Sequence, residues 1–434
     1  MAASKLIRSF LFLQGVNSPF FSQLGLALQA LGHRVVLMNF NQGDRWYRAK
    51  LERVATKTIN HRSGAGELLE QRLNAVFDAF GITDQIVFGD RRPIHVQAMA
   101  QAKLAGIRTH VFEEGYFRPH FVTLEQGGVN ARSELPREID WYARAAAALP
   151  AGLPAPPQSF PAPFWRRAMH DVWYHAAGAQ NPLRYPGYQS HSLETAPKEY
   201  LGYVKRYVRA SLRRQDDHQC VHEVIAQGKR FYFLPLQLDG DFQVRDHLQL
   251  HSMHALLEHV LRSFAKHAPK DTSLLIKNHP LDSGAVDFEK RVATLSRDFD
   301  LQQRVVYLEE GDIDLMTKYA AGTVTLNSTV GAVALANGCP TLALGDAIYN
   351  MAGLTDQNGL ENFWRYPLAA DPTRFTQFKQ VVLATTQING GFYSPEGIAL
   401  AVKNSLEVLL AEQSRLEALQ ALLARVPGCG EGIT

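Results

Sequence analysis

The sequence predicts an α/β protein made of two doubly wound, parallel-sheet domains with helices at the C-terminal end. Three observations predict it. At roughly 150 residues per domain, the 434-residue length suits two large domains or about three average ones. Short apolar runs alternate with helix-period segments in two separate blocks. Between those blocks, residues 149–163 carry six prolines, the composition of a linker or extended crossing.

Composition sets the outer limits. With 46% hydrophobic and 20% charged residues, there is apolar material for more than one core, which excludes disorder, collagen-like repeats and a long coiled coil. The formal charge of +3 argues against a polybasic nucleic-acid binder. Cys220, Cys339 and Cys429 are widely spaced and form no CxxC, so neither a disulfide framework nor a zinc site is expected, and a reducing compartment is. No run approaches the roughly 18 apolar residues of a membrane span. Lys5 and Arg8 precede an apolar run at 10–13 that is too short for a signal peptide and reads better as a first buried strand. A cytoplasmic protein is expected, with any membrane contact peripheral.

In the first block, residues 10–13, 34–40, 85–88 and 109–112 read as strands, and 20–31, 66–80 and 94–105 as helices. Strands alternating with helices imply a parallel sheet covered on both faces. No G-x-G-x-x-G follows the first strand, so a dinucleotide site is not supported there. After the proline-rich stretch comes Phe164-Trp165-Arg166-Arg167, then Trp173-Tyr174-His175. Residues 198–214 then form a basic amphipathic helix, with Leu201, Val204, Val208 and Leu212 on one face and Lys205, Arg206, Arg209, Arg213 and Arg214 crowding the others. That helix either packs on a neighbouring domain with a solvated basic face or contacts anionic lipid headgroups or a phosphorylated acceptor. The second block reads as strands at 231–236, 273–277, 304–308, 322–326 and 341–344. Helices are expected at 251–267, 287–299, 313–320 and 330–337, and a last helical stretch at 398–426. Two such domains, 1–148 and 229–385, joined by 149–228 and followed by a helical tail at 386–434, suggest a GT-B glycosyltransferase arrangement. Its two Rossmann-like domains would face each other across a cleft.

Ligands of open α/β sheets sit beyond the carboxyl ends of strands, and the polar residues there are the candidates. Glu113-Glu114-Gly115-Tyr116 follows one strand. A carboxylate of this pair can serve as a general base toward a hydroxyl, or simply cap a helix or pair with an Arg. Lys277-Asn278-His279-Pro280 places a cation and an imidazole where a phosphate leaving group could be neutralised. Asn327-Ser328-Thr329 opens a helix, either as an ordinary N-cap or as an anion site. Gln237 precedes Asp239-Gly240-Asp241, which is read as metal-free, with one Asp toward the cleft and Gln243 and Arg245 after it. Residues 39–45, with Asn41, Asp44 and Arg45, and residues 88–93, with Asp90 and Arg91, read as polar turns suited to acceptor binding or to turn chemistry.

Together these motifs resemble the KpsS/LipB-type capsule polysaccharide biosynthesis proteins. The resemblance rests on L-Q-G-x-x-x-P-F-F-S at 13–22, N-F-N-Q-G-D-R-W-Y at 39–47, F-G-D-R-R-P at 88–93, F-E-E-G-Y-F-R-P-H-F at 112–121 and E-Q-G-G-V-N-A at 125–131. The second domain adds L-Q-L-D-G-D-F-Q-V-R at 236–245, K-N-H-P at 277–280 and L-N-S-T at 326–329. It runs from about residue 10 to about 395. The resemblance implies a retaining β-Kdo transferase that takes Kdo from CMP-β-Kdo without a metal or other cofactor. Its acceptor would be lysophosphatidylglycerol at the inner face of the cytoplasmic membrane, and the product would start the poly-Kdo linker of a Gram-negative capsule. Asp241 would be the nucleophile, with Asp239 as its rival. Glu114 would be the base, and His279, Ser328 and Thr329 would stabilise the departing CMP. Lys277, Arg245, Gln237, Gln243 and Asn327 would hold the donor, and Asn41, Asp44, Arg45, Asp90, Arg91, Tyr116 and Arg118 the acceptor. Other capsule-assembly proteins are possible partners, and nucleic acid is not expected. Three other readings stay open: a sialyltransferase-like enzyme using another CMP-sugar, a nucleotide-sugar GT-B enzyme such as an epimerase, and a non-catalytic capsule-assembly scaffold.

Overall fold

Strands form where the apolar runs predict them, and further strands form at residues 57–60, 121–126 and 387–389. In chain order they are β1 (Ser9–Phe12), β2 (Arg34–Asn39), β3 (Lys57–Asn60), β4 (Asp84–Phe88), β5 (Arg108–Glu114) and β6 (Phe121–Gln126). Then come β7 (Phe231–Pro235), β8 (Ser273–Lys277), β9 (Val305–Leu308), β10 (Gly322–Thr325), β11 (Thr341–Ala343) and β12 (Gln387–Asn389). The structure, a computed structural model, describes residues 7–52, 57–60, 69–185, 188, 196–237, 252–280, 282, 284 and 286–425. The chain divides into two units. One comprises Met1–Leu135, Ala148–His191 and Gln380–Thr434, and the other Pro136–Ala147 and Ser192–Lys379.

The first unit holds a seven-stranded sheet in the order β12-β6-β5-β4-β1-β2-β3. β1 to β5 are parallel, and β1 is buried along its whole length, as a central strand covered on both faces must be. Phe10, Phe12, Phe20, Phe21, Leu24 and Phe112 form the core on one side. Leu11, Met38, Phe77 and Val111 form it on the other. The second unit holds a five-stranded, all-parallel sheet in the order β11-β10-β7-β8-β9. Its larger core gathers Tyr232, Leu257, Phe264, Leu274, Val324 and Trp364. Both sheets have the doubly wound α/β architecture that the alternation predicts.

Four features depart from the sequence reading. β6 turns back antiparallel on β5 and β12 adds antiparallel to β6, so this edge of the first sheet is mixed. Gly115 makes the hairpin possible, because a Cβ there would run into the carbonyl of Phe121. Residues 39–45 are not a turn between elements but the start of the helix Gln42–Glu52. Asn41 Oδ1 accepts from the Asp44 N–H at 2.9 Å, and Asp44 Oδ2 from the Phe40 N–H at 3.0 Å, a near capping box.

The third concerns the domain boundaries. The expected linker splits, with 149–191 joining the first unit and the long helix Ala196–Ala226 the second. The expected tail is no appendage: Ile398, Ala401 and Leu409 complete the first unit's core. The last helical stretch is also two helices, Pro395–Leu410 and Arg415–Arg425. Ser414 Oγ accepts from the Glu417 N–H at 3.1 Å and Glu417 Oε2 from the Ser414 N–H at 2.6 Å, so a full capping box restarts the helix there.

Candidate functional site

Each unit gathers its polar candidates at the carboxyl ends of its strands. In the second unit, β7 is followed by β8 and β9 on one side, whereas β10 and β11 lie on the other. The order therefore reverses between β7 and β10, and this is where open α/β sheets leave a crevice for ligands. Gln237 and Asn327 meet across that point. Gln237 Nε2 donates to Asn327 Oδ1 at 2.8 Å, and the Asn327 N–H to Gln237 Oε1 at 3.2 Å. Ser328 caps the helix Thr329–Ala336, its Oγ accepting from the Val330 N–H at 3.2 Å, while the Tyr349 hydroxyl donates to the Ser328 carbonyl at 2.5 Å. The positive end of that helix dipole thus lies beside the Gln237–Asn327 pair.

Lys277 ends β8, next to β7, and is buried. Its Nζ donates to the Asn278 carbonyl at 3.2 Å, and no carboxylate among the described residues forms an ion pair with it. Burial pushes its ammonium below the ordinary lysine range, partly offset by Glu310. Asn278 shapes the following loop: its Oδ1 accepts from the His279 N–H at 2.8 Å, and its Nδ2 donates to Asp282 and Glu309, each at 3.2 Å. His279 is half-buried at the mouth of this loop. Three adjacent strands therefore bring Gln237, Lys277, His279, Asn327, Ser328 and Thr329 to one end of the sheet. Asp239, Asp241, Gln243 and Arg245 lie outside the described residues.

The basic helix belongs to this construction. Arg206 is buried, donating from Nε to Glu309 Oε2 at 3.1 Å and from Nη1 to the carbonyls of Pro280 and Asp282 at 3.1 and 2.7 Å. Arg209 and Arg213 pair with Glu289 at 3.6 and 2.6 Å. Arg206 therefore packs inside the fold, whereas Arg209 and Arg213 keep their guanidinium groups at the surface, paired with Glu289. Carboxylates brought in from distant segments engage their guanidinium groups, and Arg206 holds the loop that carries His279.

In the first unit, Glu114 ends β5. Its Oε1 accepts from Arg167 Nη1 at 3.0 Å and from the Tyr393 hydroxyl at 3.2 Å. Burial favours the protonated acid, yet Arg118, Arg167 and Tyr393 together hold the carboxyl below its ordinary range, so it is ionised at neutral pH. Both Arg167 and Tyr393 escaped the sequence reading. A signal for Arg167 existed, since Arg167, His170, Asp171 and Tyr174 fall on one face at helical spacing. Tyr393 is 279 residues from Glu114 and had no local signal.

The expected acceptor residues divide. Arg118 is exposed, and Arg45 and Arg91 are half-buried. Tyr116 is buried, donating to Glu125 Oε1 at 2.5 Å and accepting from the Asn130 N–H at 2.7 Å, so its hydroxyl is committed inside the fold. Asn41 and Asp44 are buried as well, and besides capping their helix they bind the Tyr174 hydroxyl at 2.6 and 3.1 Å. Asp90 accepts from the Val129 N–H at 3.3 Å, and burial raises its pKa. Among the described residues no cluster of His, Cys, Asp and Glu is arranged to hold a metal, and no helix is long and apolar enough to cross a membrane.

The family model described as "Capsule polysaccharide biosynthesis protein" matches residues 83–393. The chain belongs to this family. The match includes Glu114, Arg167, Lys277, His279, Ser328 and Tyr393, and it ends at the tyrosine that touches Glu114. This family member is 33% identical over 388 residues to the capsule polysaccharide export protein KpsS of Escherichia coli, covering 89% of this chain and 97% of that one. It is 35% identical over 393 residues to the capsule polysaccharide modification protein LipB of Neisseria meningitidis serogroup B, covering 89% and 92%. The expected KpsS/LipB kinship is borne out. Among solved structures, Thermosulfurimonas dismutans KpsC, a β-Kdo 2,7 transferase, aligns at 12% identity with a TM-score of 0.41, covering 90% of this chain and 99% of that one.

Proposed function

We propose that the chain is a retaining β-Kdo transferase. It would move Kdo from CMP-β-Kdo to a lysophosphatidylglycerol acceptor at the inner face of the cytoplasmic membrane, starting the poly-Kdo linker of a capsule. The observation that supports this most is the gathering of Gln237, Lys277, His279, Asn327, Ser328 and Thr329 at the carboxyl ends of β7, β8 and β10 beside the reversal of strand order. A buried lysine, an imidazole and a helix N-terminus suit the phosphate of a departing nucleoside monophosphate.

In this reading retention takes two inversions. The Asp241 carboxylate attacks the anomeric carbon, the bond from that carbon to the CMP phosphate oxygen breaks, and CMP departs with the electron pair. Lys277, His279 and the Thr329 helix end stabilise the phosphate, with no metal required. The acceptor hydroxyl then attacks the same carbon, Glu114 takes its proton, and Asp241 is released as carboxylate. Asp239 is the alternative nucleophile. The test is incubation with CMP-Kdo generated in situ and a lysophosphatidylglycerol analogue, read by mass. A product heavier by one Kdo supports the reading; CMP-Kdo consumed only by hydrolysis at the uncatalysed rate refutes it. Donor alone with the Glu114→Gln variant should leave one Kdo on the peptide carrying Asp239 and Asp241. Absence of that adduct would favour front-face transfer.

A further inference from the structure

The helix Phe164–Gly178 is amphipathic with its polar side turned inward. Arg167 reaches Glu114, and His170 binds the Tyr47 hydroxyl through Nδ1 at 3.0 Å and through its carbonyl at 2.9 Å. Asp171 accepts from Asn17 Nδ2 at 2.9 Å, and Tyr174 is buried. The opposite face carries Trp165, Met169, Val172 and Trp173, all exposed, with Trp165 at 59% and Trp173 at 53%. Trp46, from the helix Gln42–Glu52, is 57% exposed and stacks on Trp173 with ring centroids 6.5 Å apart and planes 11° from parallel. Surface helices ordinarily turn the polar face to water, and a contiguous exposed aromatic patch marks a contact surface.

Charge narrows the occupant. Of the acids of these two helices, Asp44 and Asp171 are hydrogen-bonded inward and Glu52 stands at the far end of the second helix, whereas Lys50 is exposed, Arg45 and Arg166 are half-buried, and Arg184 of the following short helix is exposed. The Arg166 guanidinium lies over the Trp165 ring at 5.3 Å. A second copy docked by the same face would bring like cations together. A phospholipid surface offers phosphates to the cations and a headgroup layer in which tryptophan rings settle. We propose that the face formed by Trp46, Trp165, Met169, Val172 and Trp173 seats the chain on an anionic phospholipid surface. This rests on the lipid-acceptor reading above and names the surface that meets the lipid. It differs from the basic helix that the sequence suggests, in which Arg206 is buried against Glu309 and Arg209 and Arg213 pair with Glu289 at the surface.

The test floats the full chain with vesicles of equal parts phosphatidylcholine and phosphatidylglycerol, with pure phosphatidylcholine as the control. The wild type should float with the anionic vesicles, and its tryptophan emission should shift to the blue. The triple variant Trp46→Ser, Trp165→Ser, Trp173→Ser should lose at least about tenfold in vesicle binding. Its thermal unfolding and its transfer to a short soluble acceptor should be retained. A wild type that does not float, or a triple variant that floats equally well, overturns the proposal. So does a wild-type dimer that the three substitutions dissociate, which would assign the face to a second copy. Flotation through this face without transfer to any acceptor would sink the transferase reading and leave the surface standing. Transfer to the soluble acceptor with unchanged flotation of the variant would do the reverse.

Discussion

Arg167 Nη1 stands 3.0 Å from Glu114 Oε1, the same oxygen to which Tyr393 donates at 3.2 Å. A carboxylate held in this way is ionised and oriented, and its base strength is set by its partners. If Glu114 takes the acceptor proton, it must be ionised, so activity falls as pH drops through its folded pKa, which lies below the ordinary 4.5. Arg167→Met removes a cation, raises that pKa and moves the acid limb of kcat to higher pH. Arg167→Lys should restore most of the profile. Glu114→Gln and His279→Ala should abolish transfer while leaving thermal unfolding near wild type. An Arg167→Met profile that overlays the wild type would remove Glu114 from the proton transfer.

CMP should protect the second unit. Ligand at about a hundred times its Kd adds about 2.7 kcal/mol to stability, seen as a rise in Tm that UDP does not reproduce. Lys277→Met should cut that rise sharply, because it takes the buried cation from the end of β8. Equal protection by UDP and CMP would point to another nucleotide-sugar.

Reversing the charge of Arg206 should damage the fold rather than a surface property. Removing one partner of a buried ion pair costs about 3–5 kcal/mol, and here two carbonyls also lose their donor. Arg214 is exposed, so Arg214→Glu should change stability by less than about 0.5 kcal/mol. Urea denaturation of the two variants decides this, and equal midpoints would refute the anchoring role.

Acid should weaken the first unit through Asp84. Burial alone would raise its pKa, but hydrogen bonds from His110 and Arg8 outweigh that and hold it at about 2, from 3.8. A depressed carboxyl contributes stability that is fully present above the unfolded pKa and lost as pH falls toward about 2. The amount is about 2 kcal/mol. Burial lowers the pKa of His110, so its share is lost earlier, as pH falls below the ordinary 6.5. Asp84→Asn should cost about 3 kcal/mol at pH 7, because Arg8 stays buried without its anion. It should also flatten the stability profile at the acid end. Chemical denaturation from neutral pH downward measures both.

Much of the fold was legible because its signals are local. Val35, Val36, Leu37 and Met38 form an unbroken buried run in β2, as a central parallel strand requires. The polar residues after β5, β8 and β10 declare strand ends without any knowledge of the rest of the chain. β3 and β12 were missed, being short edge strands of four and three residues, and β12 finds its partner more than 260 residues away; β6 was missed although it only folds back on β5. The helix beginning at Gln42 hid behind residues that suit a turn equally well, since the same Asn and Asp side chains cap helices.

The sequence by itself therefore determined the two doubly wound sheets, the family, and which polar residues stand at strand ends. Periodicity, turn chemistry and motif spacing all act within a few residues. Tertiary structure decided that Tyr393 and Arg167 share Glu114, that Arg206 is buried against Glu309, and that Ile398 and Leu409 complete the first core. It also decided which face of Phe164–Gly178 meets water. Helical spacing shows which side chains stand together on a face, but whether that face is turned inward depends on partners such as Glu114, Asn17 and Tyr47, which only folding brings to it.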